Sequence, residues 1–131
     1  MRDYEQVFLG GDWVAPAGAG TIEVRSPATG DLVGRVPQAT PADIDAAVTA
    51  ARRAFDDGPW PRWDPAERAD LLGKLGKALK TRSAELTELI SDEIGSPRTW
   101  ARGGQIATAL GALRAAVTVA ASYPWTETRP G

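Results

Sequence analysis

Two four-residue segments of the same design, Thr40-Pro41-Ala42-Asp43 and Asp64-Pro65-Ala66-Glu67, constrain this chain more than any other feature. Each offers a side-chain oxygen as a helix cap, proline at the first helical position, and an acid three residues after the cap. Behind the first, Ile44, Ala47, Val48, Ala51 and Phe55 recur at helical spacing and form one apolar face that ends near Gly58. Behind the second, Leu72, Leu75, Leu79, Leu86, Leu89, Ile90 and Ile94 continue the same periodicity until Gly95 and Pro97 stop it. The hydroxyl of Thr81 or Ser83 can cap a new helix and divide this run. A last helix is predicted from about Arg98 to Ala121, with a surface of small residues such as Gly103, Gly104, Ala107, Gly111 and Ala115. Helices are thus expected at about 41–57, 65–94 and 98–121.

Before Thr40 the period is two, not 3.6. Gln6 to Leu9 and Asp12 to Val14 are short strand candidates joined across Gly10-Gly11, a pair able to take positive φ in a tight hairpin. Thr21 to Arg25 alternates and carries three β-branched residues, and Ser26-Pro27-Ala28-Thr29-Gly30 supplies turn chemistry. Leu32 to Val36 is the returning strand, closed by Pro37. The expectation is an antiparallel β-meander over about 6–37, a helical part over about 41–121, and a tail over 122–131.

Composition narrows the chemistry. The 131 residues include no cysteine and no histidine, so thiolate nucleophiles, imidazole bases and the metal sites built on either are excluded from this chain. Its formal charge of −2 carries no basic stripe for nucleic acid. Lys74, Lys77, Lys80 and Arg82 cluster, but Glu67, Asp70, Glu85 and Glu88 surround them, which reads as a solvated helix face. The uncharged stretch from Gly103 to Leu113 is shorter than the ~20 apolar residues a membrane helix needs. No apolar signal core follows Met1, so neither membrane nor nucleic acid is an expected partner and the cytoplasm is the expected location.

An ordered set of short signatures resembles one family. Phe8-Leu9-Gly10-Gly11-Asp12-Trp13-Val14 is similar to the opening of aldehyde dehydrogenases, and Ser26-Pro27-Ala28-Thr29-Gly30-Asp31 to that family's "NPaTGe" turn. Asp43 to Val48 with Ala50 to Phe55 resembles its first helix. Trp60-Pro61-Arg62-Trp63 with Pro65 to Leu72, and Glu93-Ile94-Gly95-Ser96-Pro97, resemble its next two blocks. Each block is common alone; five in order at matching spacing identify the chain as the N-terminal segment of an NAD(P)-dependent aldehyde dehydrogenase.

The resemblance implies an α/β family fold of which this chain holds only the N-terminal antiparallel β-meander and three or four α-helices. The Rossmann core and catalytic domain, expected beyond Gly131, are absent. It implies oxidation of an aldehyde to a carboxylic acid with NAD or NADP in the complete enzyme, through a cysteine nucleophile, a glutamate base and a glycine-rich dinucleotide site. None of these lies here, so no catalytic or cofactor-binding residue is assigned and the chain is expected to be inactive alone. Two carry-overs remain. Main-chain carbonyls of Val24 and Arg25 with the carboxylate of Glu93 correspond to part of a monovalent-cation site; equally, Glu93 is a solvated last-turn residue, although a carboxylate is unfavourable at that end of a helix. Gly104 and Thr108, one turn apart, correspond to the lining of the aldehyde channel, with a packing role as the alternative.

Two functional classes follow. In one the chain is a truncated or split dehydrogenase fragment whose partner is the missing C-terminal part. In the other it is a non-catalytic helical interaction protein derived from that family. In either case Leu72, Leu75, Leu79, Ile106, Leu110 and Leu113 are expected to lose part of their cover and to drive self-association or docking.

Overall fold

The structure, a computed structural model, describes residues 1–129. Strands occupy the first forty residues and helices the rest: β1 (Arg2–Asp3), β2 (Val7–Leu9), β3 (Asp12–Val14), β4 (Thr21–Arg25) and β5 (Leu32–Pro37), then α1 (Pro41–Asp56), α2 (Pro65–Thr81), α3 (Ser83–Ile94), α4 (Arg98–Trp100) and α5 (Ala107–Ala120). A 3₁₀ turn, Trp60–Arg62, precedes α2, and a π-helical segment, Ala101–Ile106, joins α4 to α5. The residues form two compact units: Met1–Pro61 with Ile90–Gly95, and Arg62–Leu89 with Ser96 onward.

In the first unit both expected hairpins form, but in separate sheets. Strands β2 and β3 pair antiparallel by themselves, with Phe8 and Trp13 edge to face at 5.4 Å. The other sheet has the order β1-β5-β4, antiparallel between β4 and β5 and parallel between β1 and β5. The single meander is therefore corrected to a hairpin plus a mixed three-stranded sheet. Gly34 is what admits β1: a Cβ there would stand 2.3 Å from the Arg2 carbonyl oxygen. Arg2 is anchored further by Asp92 of α3, at 3.0 Å.

Helix α1 starts as its sequence dictates, with the Thr40 side chain and Asp43 closing a reciprocal capping box. Asp43 also reaches outside its helix, since its Oδ1 accepts from the Ala17 N–H at 2.8 Å and so ties the loop before β4 to α1. The apolar face of α1 is open: Ile44, Val48 and Phe55 are 55%, 62% and 59% exposed. Among the described residues, the first unit has no buried apolar side chain.

The second unit is built on α2 packed against α5. Asp64 and Glu67 close a second capping box at the start of α2. The division at 82 is present, but not by capping. Thr81 and Ser83 donate their hydroxyls back to the carbonyls of Lys77 and Lys80, at 3.1 and 2.7 Å. The buried apolar residues, Ala101 and Ile106, both belong to this unit. Of the stripe expected to be uncovered, Ile106 is buried, Leu72, Leu79, Leu110 and Leu113 are half-buried, and Leu75 is exposed. A more open apolar face lies on α1, where Ile44, Val48 and Phe55 are each more exposed than Leu75.

The final helix is not uniform, which corrects the expectation of one α-helix over 98–121. Its turns widen between Ala101 and Ile106, where Gly103 and Gly104 give little support to α-helical geometry. The expected tail is partly packed: Trp125 donates Nε1–H to the Ala120 carbonyl at 3.0 Å, meets Tyr123 edge to face, and lies under the Arg68 guanidinium at 5.2 Å. The last two residues of that tail, 130 and 131, lie outside the described residues.

Candidate functional site

Val24 and Arg25 end β4, where the register against β5 slips between them: Val24 faces Gly34 and Arg25 faces Leu32. The extra residue of this bulge, Val33, lies on β5, so the regular ladder is interrupted beside the end of β4. The following turn is fixed by two main-chain bonds, Ser26 N–H to the Asp31 carbonyl at 2.9 Å and Gly30 N–H to the Ser26 carbonyl at 2.8 Å. Helix α3 ends against this turn. Gly95, at φ 69°, would carry its Cβ 3.0 Å from Pro27 Cγ, so only a residue without a side chain suits both the backbone and the approach. Glu93 is exposed in the last turn of α3, on the same six-residue segment that belongs to the first unit. The three residues are thus carried by neighbouring parts of one unit. No cluster of three metal-ligating carboxylates exists among the described residues, so a cation here would rely on main-chain oxygens and on ligands from outside the chain.

Gly104 and Thr108 fall on either side of the change from π to α geometry. Thr108 is exposed, in the first turn of α5. Gly104 is held from within: an added Cβ would stand 2.8 Å from three atoms of the Trp100 indole. The ring occupies the space that any side chain would need, and sequence reading of small-residue density did not foresee this close approach. Nearby, two buried polar atoms, Arg68 Nε and Gln105 Oε1, have no hydrogen-bond partner among the described residues. A donor and an acceptor left bare in this way are a cost of about 1–3 kcal/mol each unless water or another chain satisfies them.

The carboxylates are largely committed. Asp43, Asp64 and Glu67 cap helices, while Glu23, Asp56, Asp70, Glu85, Glu88 and Asp92 form ion pairs. Three of them are held below the ordinary carboxylate range. Asp43 is held by the Thr40 and Ala17 N–H groups and the Thr40 hydroxyl, Glu23 chiefly by Arg25, and Asp70 chiefly by Lys74. Depressed values of this kind keep a carboxylate ionised and unsuited to donating a proton near neutral pH. No glycine-rich turn leads from a parallel strand into a helix among the described residues, so nothing here fits a dinucleotide pyrophosphate. No described helix is long and apolar enough to cross a membrane.

The comparisons with known proteins agree with one another. Residues 13–130 match the model of the aldehyde dehydrogenase family. A 3-succinoylsemialdehyde-pyridine dehydrogenase of a Pseudomonas species is 40% identical over 97 residues, which is 74% of this chain and 20% of that protein. The aldehyde dehydrogenase of Mycobacterium tuberculosis, solved with NAD+, superposes with a TM-score of 0.93 at 44% identity, over 99% of this chain and 27% of that one. Aldehyde dehydrogenase C of Pseudomonas syringae, solved with NAD+ and octanal, gives 0.90 at 32% identity, over 96% and 26%. The chain therefore spans about a quarter or less of the length of these relatives. It belongs to the aldehyde dehydrogenase family.

Proposed function

We propose that this chain is the N-terminal scaffold of an NAD(P)-dependent aldehyde dehydrogenase of the cytoplasm, inactive alone and completed by polypeptide carrying the nucleophile, the base and the dinucleotide site. The observation that carries the reading is the match of nearly the whole chain to about a quarter of a longer aldehyde dehydrogenase, in a sequence with no thiol. Aldehyde oxidation needs a nucleophile to form the tetrahedral adduct, an acceptor for hydride, and a base to activate water for thioester hydrolysis. This chain contributes none of them, and its cap and ion-pair carboxylates are already engaged. The bare Arg68 Nε and Gln105 Oε1 are what such a scaffold leaves for a further segment to satisfy.

Within that subunit, Val24 and Arg25 carbonyls with Glu93 would form part of a monovalent-cation site, supported by the bulge and by the packing of Gly95 on Pro27. Gly104 and Thr108 would line the aldehyde passage, supported by the wide π turn, a geometry frequent at functional sites.

The test is reconstitution. The chain alone, given an aldehyde and NAD+ or NADP+, is expected to form reduced nicotinamide no faster than a heat-killed control. Mixed with a separately produced polypeptide covering the remaining length of a close relative, it is expected to restore turnover. Activity of the chain alone, or no turnover from any such mixture, defeats the proposal. The Glu93→Gln variant checks the cation reading: it should remove a difference in thermal stability between potassium and tetramethylammonium buffers that the unaltered mixture shows.

A further inference from the structure

We propose that the groove between α2 and α5 seats an amphipathic helix whose apolar face is edged by carboxylates. Its source, a segment of the completing polypeptide, rests on the reading above; its character rests on the groove itself. The groove holds about 530 Å³, and Leu72, Leu110, Leu113 and Val117 supply its apolar lining. Gly73 and Gly76 lower the α2 wall, so a third helix can approach closely where two packed helices already leave a furrow. Helix recognition of this kind reads apolar anchors one turn apart, with charge at the edges setting partner choice.

The edge is cationic. Lys77, Lys80 and Arg114 line the same groove, and none of them forms an ion pair among the described residues. Three other cations of this unit are matched: Lys74 by Asp70, Arg82 by Glu85 and Arg98 by Glu88. Lys77 acts on Asp70 only as a weaker influence than Lys74. In a chain with net charge −2, three unmatched cations around an apolar furrow ask for an anionic edge on the occupant. A second copy of this chain fits less well, because its own open apolar face on α1 has Arg52 and Arg53 along with its acids.

The isotope-labelled chain is titrated with two synthetic helical peptides that share one leucine face, one edged with glutamate and one with lysine. The glutamate peptide should bind roughly tenfold or more tightly than the lysine peptide, with resonance shifts centred on Leu110, Leu113 and Val117. Reversing the exposed edge in Lys77→Glu, Lys80→Glu and Arg114→Glu together should invert the preference. Gly73→Leu should block both peptides while preserving the fold, since a Cβ at 73 meets nothing within 4 Å. Equal affinity for the two peptides, shifts outside the groove, or a dimer of the chain that Gly73→Leu abolishes would each overturn the proposal. The two readings fail separately. Reconstituted activity that neither peptide inhibits removes the groove, whereas selective peptide binding with no reconstitution removes the completion reading and with it the helix's source.

Discussion

The two units hold together by different means. The first is knit by polar contacts: sheet ladders, the Asp43 carboxylate shared by Thr40 and Ala17, and the Arg2–Asp92 pair. Its one long helix shows its apolar face to solvent. The second gathers helices around the buried apolar residues Ala101 and Ile106, and buries Thr87 and Ser96 as well. Hydrogen bonds and partly exposed ion pairs give geometry and little net energy, whereas apolar burial gives energy with little directional demand.

The contrast can be broken in order of expected effect. Ile106→Ala should cost about 2–3 kcal/mol, because it empties much of the second unit's interior. Hydrogen exchange should show the first loss of protection in α2 and α5, and early loss in β4 and β5 instead would erase the distinction between the units. Gly104→Ala should cost about 1–3 kcal/mol by forcing Trp100 aside. Denaturant titration of the two variants together tells whether they couple, as groups sharing one small interior should.

Acid should loosen the first unit at Asp43. The carboxyl of Asp43 is held below its ordinary value of 3.8 by the main-chain N–H of Thr40, then of Ala17, then by the Thr40 hydroxyl. A carboxyl depressed in the folded state adds stability that is complete above the unfolded value. That stability is lost as pH falls through the folded value. Amide protection at Ala17 and Asp43 should therefore fade below pH 3.8, and Asp43→Asn should flatten that dependence. Smallest of all, Arg2→Gln should cost under ~1 kcal/mol, since the ion pair with Asp92 is partly exposed, and added salt should narrow even that difference.

Legibility in the sequence followed locality. Both helix starts were readable because cap, proline and acid lie within four residues, and both boxes close as the pattern demands. Strand β1 was invisible: Arg2-Asp3 has no strand signal, and what creates it is the space above Gly34, far along the chain. The π turn escaped for a related reason, since Trp100 and Gly104 look like ordinary helix neighbours until the ring is seen over the missing side chain. Lys77 and Lys80 read as a solvated face because Arg114, which completes their arrangement, comes from another helix. Val24, Arg25 and Glu93 could be named only through resemblance to a family, as nothing in their spacing brings the end of β4 to the end of α3.

The first unit is not one stretch of chain. It leaves off at Pro61 and resumes for the six residues Ile90–Gly95. During synthesis the sheet therefore emerges well before Asp92, which anchors Arg2, and before Gly95, which presses on Pro27. Its assembly must wait until the first stretch of the second unit, Arg62–Leu89, has been made. For the same reason no single cut separates the two: a protein ended at Pro61 would present every strand and α1, yet lack the short returning segment that fastens them.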